Sequence, residues 1–158
     1  MGVEIERKFL VGDDSWRVGA VGTDYRQGYL AILPHCSVRV RVADDRAWLT
    51  VKSGASGLSR LEYEYPVPRK DAEGLLELSE PVVISKTRYL LDCGGHRWEI
   101  DEFHGENEGL VVAEIELTRE DEVFEKPGWL GREVTDDVRY YNASLSHRPY
   151  RLWKDEVG

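Results

Sequence analysis

At 158 residues, with 41% hydrophobic and 32% charged side chains, the chain has the composition of one globular domain (1–158), not of a disordered segment, and no apolar run approaches the roughly 20 residues of a membrane helix. A formal net charge of -9 disfavours duplex nucleic acid held through many phosphate contacts, while leaving room for a buried basic site. The charged start from Met1 to Phe9 predicts no signal peptide, and Cys36 and Cys93 form no Cys-x-x-Cys spacing, so a soluble protein of the reducing cytoplasm is expected. His35, His96, His104 and His147 are too scattered for a zinc ligand pair.

Taken in chain order, period-two alternation predicts strands over 3–11, 25–33, 36–42, 47–53, 60–67, 82–92, 96–103 and 110–118. Asp44-Asp45, the stretch 54–57 and Gly94-Gly95 supply turn chemistry short enough for antiparallel hairpins. Helical spacing after early acids predicts helices over 69–79 and 119–125, and 136–146 offers an Asp N-cap before a third. Eight mostly sequential antiparallel strands suffice to close a small barrel, and an open curved sheet fits the same pattern.

One face of these strands is unusual. Glu4-Ile-Glu6, Arg39-Val-Arg41, Glu62-Tyr-Glu64, Lys86-Thr-Arg88, Glu99-Ile-Asp101 and Glu114-Ile-Glu116 each put like charges two residues apart, and Lys52 adds another base. On a strand such pairs share a side at roughly 6.6 Å. Their repulsion is about 0.6 kcal/mol in water and about 2.5 kcal/mol at an effective dielectric near 20. If the sheet closes with the apolar alternates outward, the lumen holds acids on some strands and bases on others. Arginine and lysine neutralise phosphate oxygens, and carboxylates hold hard cations such as Mg2+ or Mn2+ that also bridge phosphates. Glu4 and Glu6 then read as metal ligands, with Lys8 as a phosphate or carboxylate partner beside them.

At these residues the sequence resembles the CYTH superfamily, the triphosphate tunnel metalloenzymes, whose N-terminal signature ExExK reads here Glu4-Ile-Glu6-Arg-Lys8. "SVRVR", "LTVKS", "RLEYEY", "SKTRY", "WEIDEF" and "AEIEL" follow in the family's order, and "PGWLGREVTDDVRYYNASL" resembles the end of its short bacterial members. The resemblance implies an eight-stranded antiparallel β-barrel, a charged tunnel with a few flanking helices, and an essential divalent metal. It assigns Glu4, Glu6, Asp101, Glu114 and Glu116 to the metal side, and Lys8, Arg39, Arg41, Lys52, Lys86 and Arg88 to the triphosphate. Glu62 and Glu64 become tunnel acids that serve either the metal or the orientation of bases. Lys86 and Tyr29 match a catalytic pair; Arg88 on the same face would depress the Lys86 pKa and leave neutral amine to activate water, although Lys86 as one more phosphate clamp fits equally.

The activity implied is metal-dependent hydrolysis of inorganic triphosphate to pyrophosphate and phosphate. Class IV adenylyl cyclase chemistry would need a base-recognition pocket, which the sequence does not mark. Thiamine triphosphatase would need an aromatic platform, for which Trp48 and Trp98 are available but expected to pack the barrel. Binding of polyphosphate without catalysis is the remaining alternative. Trp129 and Trp153 are expected to pack the terminal segment across the barrel. A homodimer stays open, since some family members pair and no self-complementary patch is legible.

Overall fold

The computed structural model describes residues 2–54, 59–79 and 82–156; part of the 54–57 turn lies outside the described residues. Eight strands, β1 (Gly2–Val11), β2 (Val21–Ile32), β3 (Cys36–Ala43), β4 (Arg46–Ser53), β5 (Ser59–Pro66), β6 (Ile84–Cys93), β7 (His96–Phe103) and β8 (Val111–Glu116), pair antiparallel in the order β5-β4-β3-β2-β6-β7-β8-β1. Pairing of β1 with β5 over Gly2–Ile5 closes the barrel. Two-residue loops make the tight hairpins. Gly94 and Gly95 both take positive φ (59° and 79°), as a primed turn between Cys93 and His96 requires, and Asp44 (φ 54°) turns β3 into β4.

A ninth strand, β9 (Leu130–Glu133), was not legible in the alternation. Phe9 lies opposite Ala113 on one edge of β1 and opposite Glu133 on the other. The edge of β1 that β5 occupies at its start is therefore taken by β9 at its end. This finishes an edge that the barrel's stagger leaves unpaired.

The helix expected over 69–79 forms as α1 (Arg69–Leu78). The one expected over 119–125 does not. Glu122 accepts hydrogen bonds from the Thr118 backbone N–H and hydroxyl and binds His96 at 2.6 Å, while Phe124 packs edge-on against Trp98 and Phe9. Side-chain bonds to the chain's own backbone compete with helix in this way, and packing on the barrel decides the outcome. The third helix is broken at Tyr141, whose backbone is extended (ψ 140°), into a 3-10 turn (Val138–Tyr140) capped by Asp137 and the short α2 (Asn142–His147).

Alternation sends one set of side chains outward. Trp98, Ile100, Ala113 and Ile115 are wholly buried there beneath Trp16, Leu117 and Trp129, and α1 covers Val40 and Val42 through Ala72 and Leu76. Gly28 is required where β2 meets the end of α1, because a Cβ there would overlap the Ser79 side chain. The inward set is mostly charged, with β2 contributing Tyr25, Gln27 and Tyr29, and turns apolar at one end. There Ile84, Phe103 and Val112 meet Tyr140, Leu145 and Trp153, so the C-terminal segment plugs one end of the lumen. Cys36 and Cys93 are half-buried free thiols. Among the described residues no helix is long and apolar enough to cross a membrane.

Candidate active site

Seven of the eight barrel strands put their like-charged pairs, or single bases, onto the lumen. Glu4, Glu6, Arg39 and Lys52 line both of its adjoining chambers; Lys8 and Tyr29 line the one under the plug, and Arg41, Glu62, Glu64, Arg88, Glu114 and Glu116 line the other. The repulsion between like neighbours on one strand is relieved by opposite charges on other strands around the lumen. Lys52 binds Glu4 at 2.7 Å and approaches Glu62 at 3.6 Å, Arg41 reaches Glu64 at 3.3 Å, and Lys8 reaches Glu114 at 3.3 Å. Thr50 donates its hydroxyl to Glu64 at 3.0 Å. Glu62 and Glu64 thus both lie against bases.

Asp101 is the most heavily engaged acid. Arg88 grips it with two bonds of 2.8 and 2.9 Å, Lys86 donates to it at 2.8 Å, and Arg88 also reaches Glu99 at 3.0 Å. Burial would raise the Asp101 pKa, but Arg88 and Lys86 outweigh it and bring it down to about 2. Both carboxylate oxygens are occupied by cations, so Asp101 is positioned as an anchor for the two bases. Lys86, 1% exposed, moves the other way: burial lowers it to about 8, with Arg88 assisting and Asp101 opposing. Asp101 cannot restore the lysine because Arg88 already draws on the same charge.

On the acidic side burial and crowding dominate. Burial and then Glu114 push Glu6 up to about 8, and burial also raises Glu4 and Glu116. Glu114 escapes: burial opposes ionisation there, but Lys8 and Arg88 hold it well below the ordinary carboxylate range. Crowded carboxylates, whose mutual repulsion a cation would relieve by drawing them into their ionised form, are the donor chemistry that suits a hard divalent cation. Among the described residues, however, no three acidic, histidine or cysteine side chains already converge as a metal site. Lysines hold Glu4 and Glu114 in that arrangement.

Among the described residues no hydrogen bond joins Lys86 to Tyr29, the catalytic pair suggested by the resemblance. Opposite Lys86 on β2 stands Tyr25; Tyr29 lies four residues along and faces Arg39 across β3. Lys86 instead donates to the Asn142 side chain of α2 at 3.2 Å. Sequence reading missed Asn142, which no strand pattern could mark because it lies 56 residues from its partner. It also missed Tyr25, whose ring has the Arg41 and Arg88 guanidinium groups each 5.3 Å from its centre, and whose signal was the spacing with Tyr29 in "YRQGY". Trp98 faces outward, fully buried, while Trp48 lies under Arg41 and Arg46.

A closed barrel with opposed acidic and basic banks around a polar lumen defines a tunnel protein built to hold a small, highly charged anion together with a cation. The CYTH domain model matches residues 2–150, and the chain belongs to the CYTH family. It is 53% identical over 156 residues to an inorganic triphosphatase of Acetivibrio thermocellus, covering 98% of this chain and all of that one. An inorganic triphosphatase of Nitrosomonas europaea is 39% identical over 150 residues (90% of this chain, 96% of the other). The solved structure of the inorganic triphosphatase NE1496 superposes with a TM-score of 0.67 at 34% identity, covering 92% of this chain and 95% of that one.

Proposed function

We propose that the chain hydrolyses inorganic triphosphate to pyrophosphate and phosphate inside the barrel, with Mg2+ or Mn2+ as cofactor. The observation that carries this is the lumen itself, where Arg39, Arg41, Arg88 and Lys52 form one bank and Glu4, Glu6, Glu114 and Glu116, with Lys8 among them, the other. On arrival the substrate's oxygens compete for Arg41 and Lys52, whose carboxylate partners are only part-buried and can return to water. A divalent cation held by the acidic bank supplies charge neutralisation at the phosphoryl oxygens. Lys86, kept partly neutral, accepts the proton of the attacking water, with Asp101 and Asn142 fixing the direction of its Nζ. Tyr29 serves through Arg39, whose guanidinium it faces. The free, half-buried cysteines favour a reducing cytoplasm.

The test is product release from inorganic triphosphate, ATP and thiamine triphosphate, each with Mg2+, with Mn2+ and with chelator. Metal-dependent cleavage of triphosphate in preference to the others is the expected result. Cyclic AMP from ATP would assign the cyclase chemistry instead. Binding without turnover of any of them would reduce the lumen to a polyphosphate receptor.

A further inference from the structure

Gln27 on β2 is 0% exposed, and neither its Oε1 nor its Nε2 has a hydrogen-bond partner among the described residues. Native folds leave few buried polar groups unpaired, so an amide orphaned at both ends calls for a partner that arrives with another state of the protein. The register says which. Gln27 stands opposite Arg41 on β3 and Ile84 on β6, which puts its side chain on the lumen face between them. Directly opposed residues bring their Cβ atoms to about 4.5–5.5 Å.

Arg41 carries the complementary defect. Its Nε is also buried without a partner, while its Nη2 is drawn to Glu64 at 3.3 Å and its guanidinium stacks 5.3 Å from the ring centres of Tyr25 and Trp48. A guanidinium held by one corner can turn about its long axis. Once a phosphate replaces Glu64 as its partner, the guanidinium can turn its unpaired Nε–H toward an acceptor. The acceptor that the register sets beside it is the Gln27 amide.

We propose that Gln27 is a positioning residue for substrate binding: its Oε1 accepts the Arg41 Nε–H when the guanidinium leaves Glu64 for a phosphate oxygen. Glu64 holds Arg41 in the free protein, and Gln27 holds it in the complex. The inference rests on reading Arg41 as a phosphate ligand, and the two can fail separately.

The test compares Gln27→Met, Arg41→Ala and the double variant, measuring triphosphate affinity in chelator by calorimetry, steady-state kcat and KM with metal, and Tm. Methionine keeps the volume and removes donor and acceptor. One charge-assisted hydrogen bond predicts about ten-fold weaker triphosphate binding and a matching rise in KM, with kcat within about two-fold and Tm not lowered. In the Arg41→Ala background, Gln27→Met should change affinity no further. If Arg41→Ala weakens binding while Gln27→Met does not, or if Gln27→Met weakens it equally with Arg41 absent, the inference is wrong and the phosphate role of Arg41 stands. If Arg41→Ala leaves affinity untouched, that role fails first and takes this one with it. Gln27→Leu is the second variant should methionine not fold; failure of both to fold would show a purely structural amide and overturn the proposal.

Discussion

Lys86 shows how one residue's surroundings set its chemistry. Its ammonium is wholly buried, shares Asp101 with Arg88 and rests on Asn142, and burial outweighs the carboxylate to bring its pKa down to about 8. Only the neutral amine can take a proton from water, and it accumulates as pH rises. The kcat for triphosphate should therefore climb through a pH of about 8 and then level off, and Lys86→Met should leave a low, flat profile. A wild-type profile that is flat over this range would make Lys86 a phosphate clamp. The same shift bears on stability with a worked sign. The folded pKa lies below the ordinary 10.5, so the unfolded chain binds more protons between about 8 and 10.5, and stability from this residue rises with pH across that window. Urea unfolding at the two ends of the window should show a rise that Lys86→Met lacks. The charged residues on this face were legible because i, i+2 spacing fixes a strand's side. Asn142 and the Tyr29–Arg39 pairing were not, since contact across strands and from a distant helix has no local signature.

At the scale of elements, the eight barrel strands, two of their tight turns and α1 were readable, and β9 and the segments around it were not. Alternation marks a strand wherever one face is buried, and the barrel buries much of the outer face of β1, β3, β6, β7 and β8. The stretch 119–125 has helical spacing, but Glu122 is spent on Thr118 and His96 and Phe124 on the aromatic cluster, choices made by the folded barrel. The C-terminal plug is the least legible part and the one that bears most on the site. Leu145 of α2 is fully buried with Ile84 and Phe103, one turn from Asn142 on Lys86. Leu145→Ala should cost about 2–5 kcal/mol in urea unfolding, as large-to-small changes in packed cores do. Because it loosens the helix carrying Asn142, it should also lower kcat more than it raises KM. Unchanged kcat at the reduced stability would mean that the plug closes the lumen without orienting Lys86.

For the molecule as a whole, the net charge of -9 and the anionic substrate are reconciled by segregation within the lumen, where Arg39, Arg41, Lys52 and Arg88 gather against an opposing set of acids. Closure has a cost: like charges stand two apart on strand after strand, and Lys8 and Lys52 are neutralised by Glu114 and Glu4, acids of the proposed metal side. The two ligands should therefore stabilise the fold through different banks. Triphosphate in chelator should raise Tm in the wild type, with about 2.7 kcal/mol of linkage at a concentration one hundred times Kd. Arg39→Ala should weaken that shift and spare the one produced by Mg2+ alone. Glu116→Gln should do the reverse, and it is a cleaner variant than Glu114→Ala, which would strand the buried Lys8 without its 3.3 Å partner and destabilise the barrel itself. With both ligands present the shift should exceed the sum of the separate shifts, because each removes the other's competitor: the phosphate takes Lys52 from Glu4, and the cation takes Glu4 from Lys52. Thermal unfolding across a matrix of triphosphate and Mg2+ concentrations measures this coupling, provided a slow variant such as Lys86→Met keeps the substrate intact. Shifts that merely add would mean that the banks act independently, and the Lys52–Glu4 pair would then be a fixed strut of the barrel.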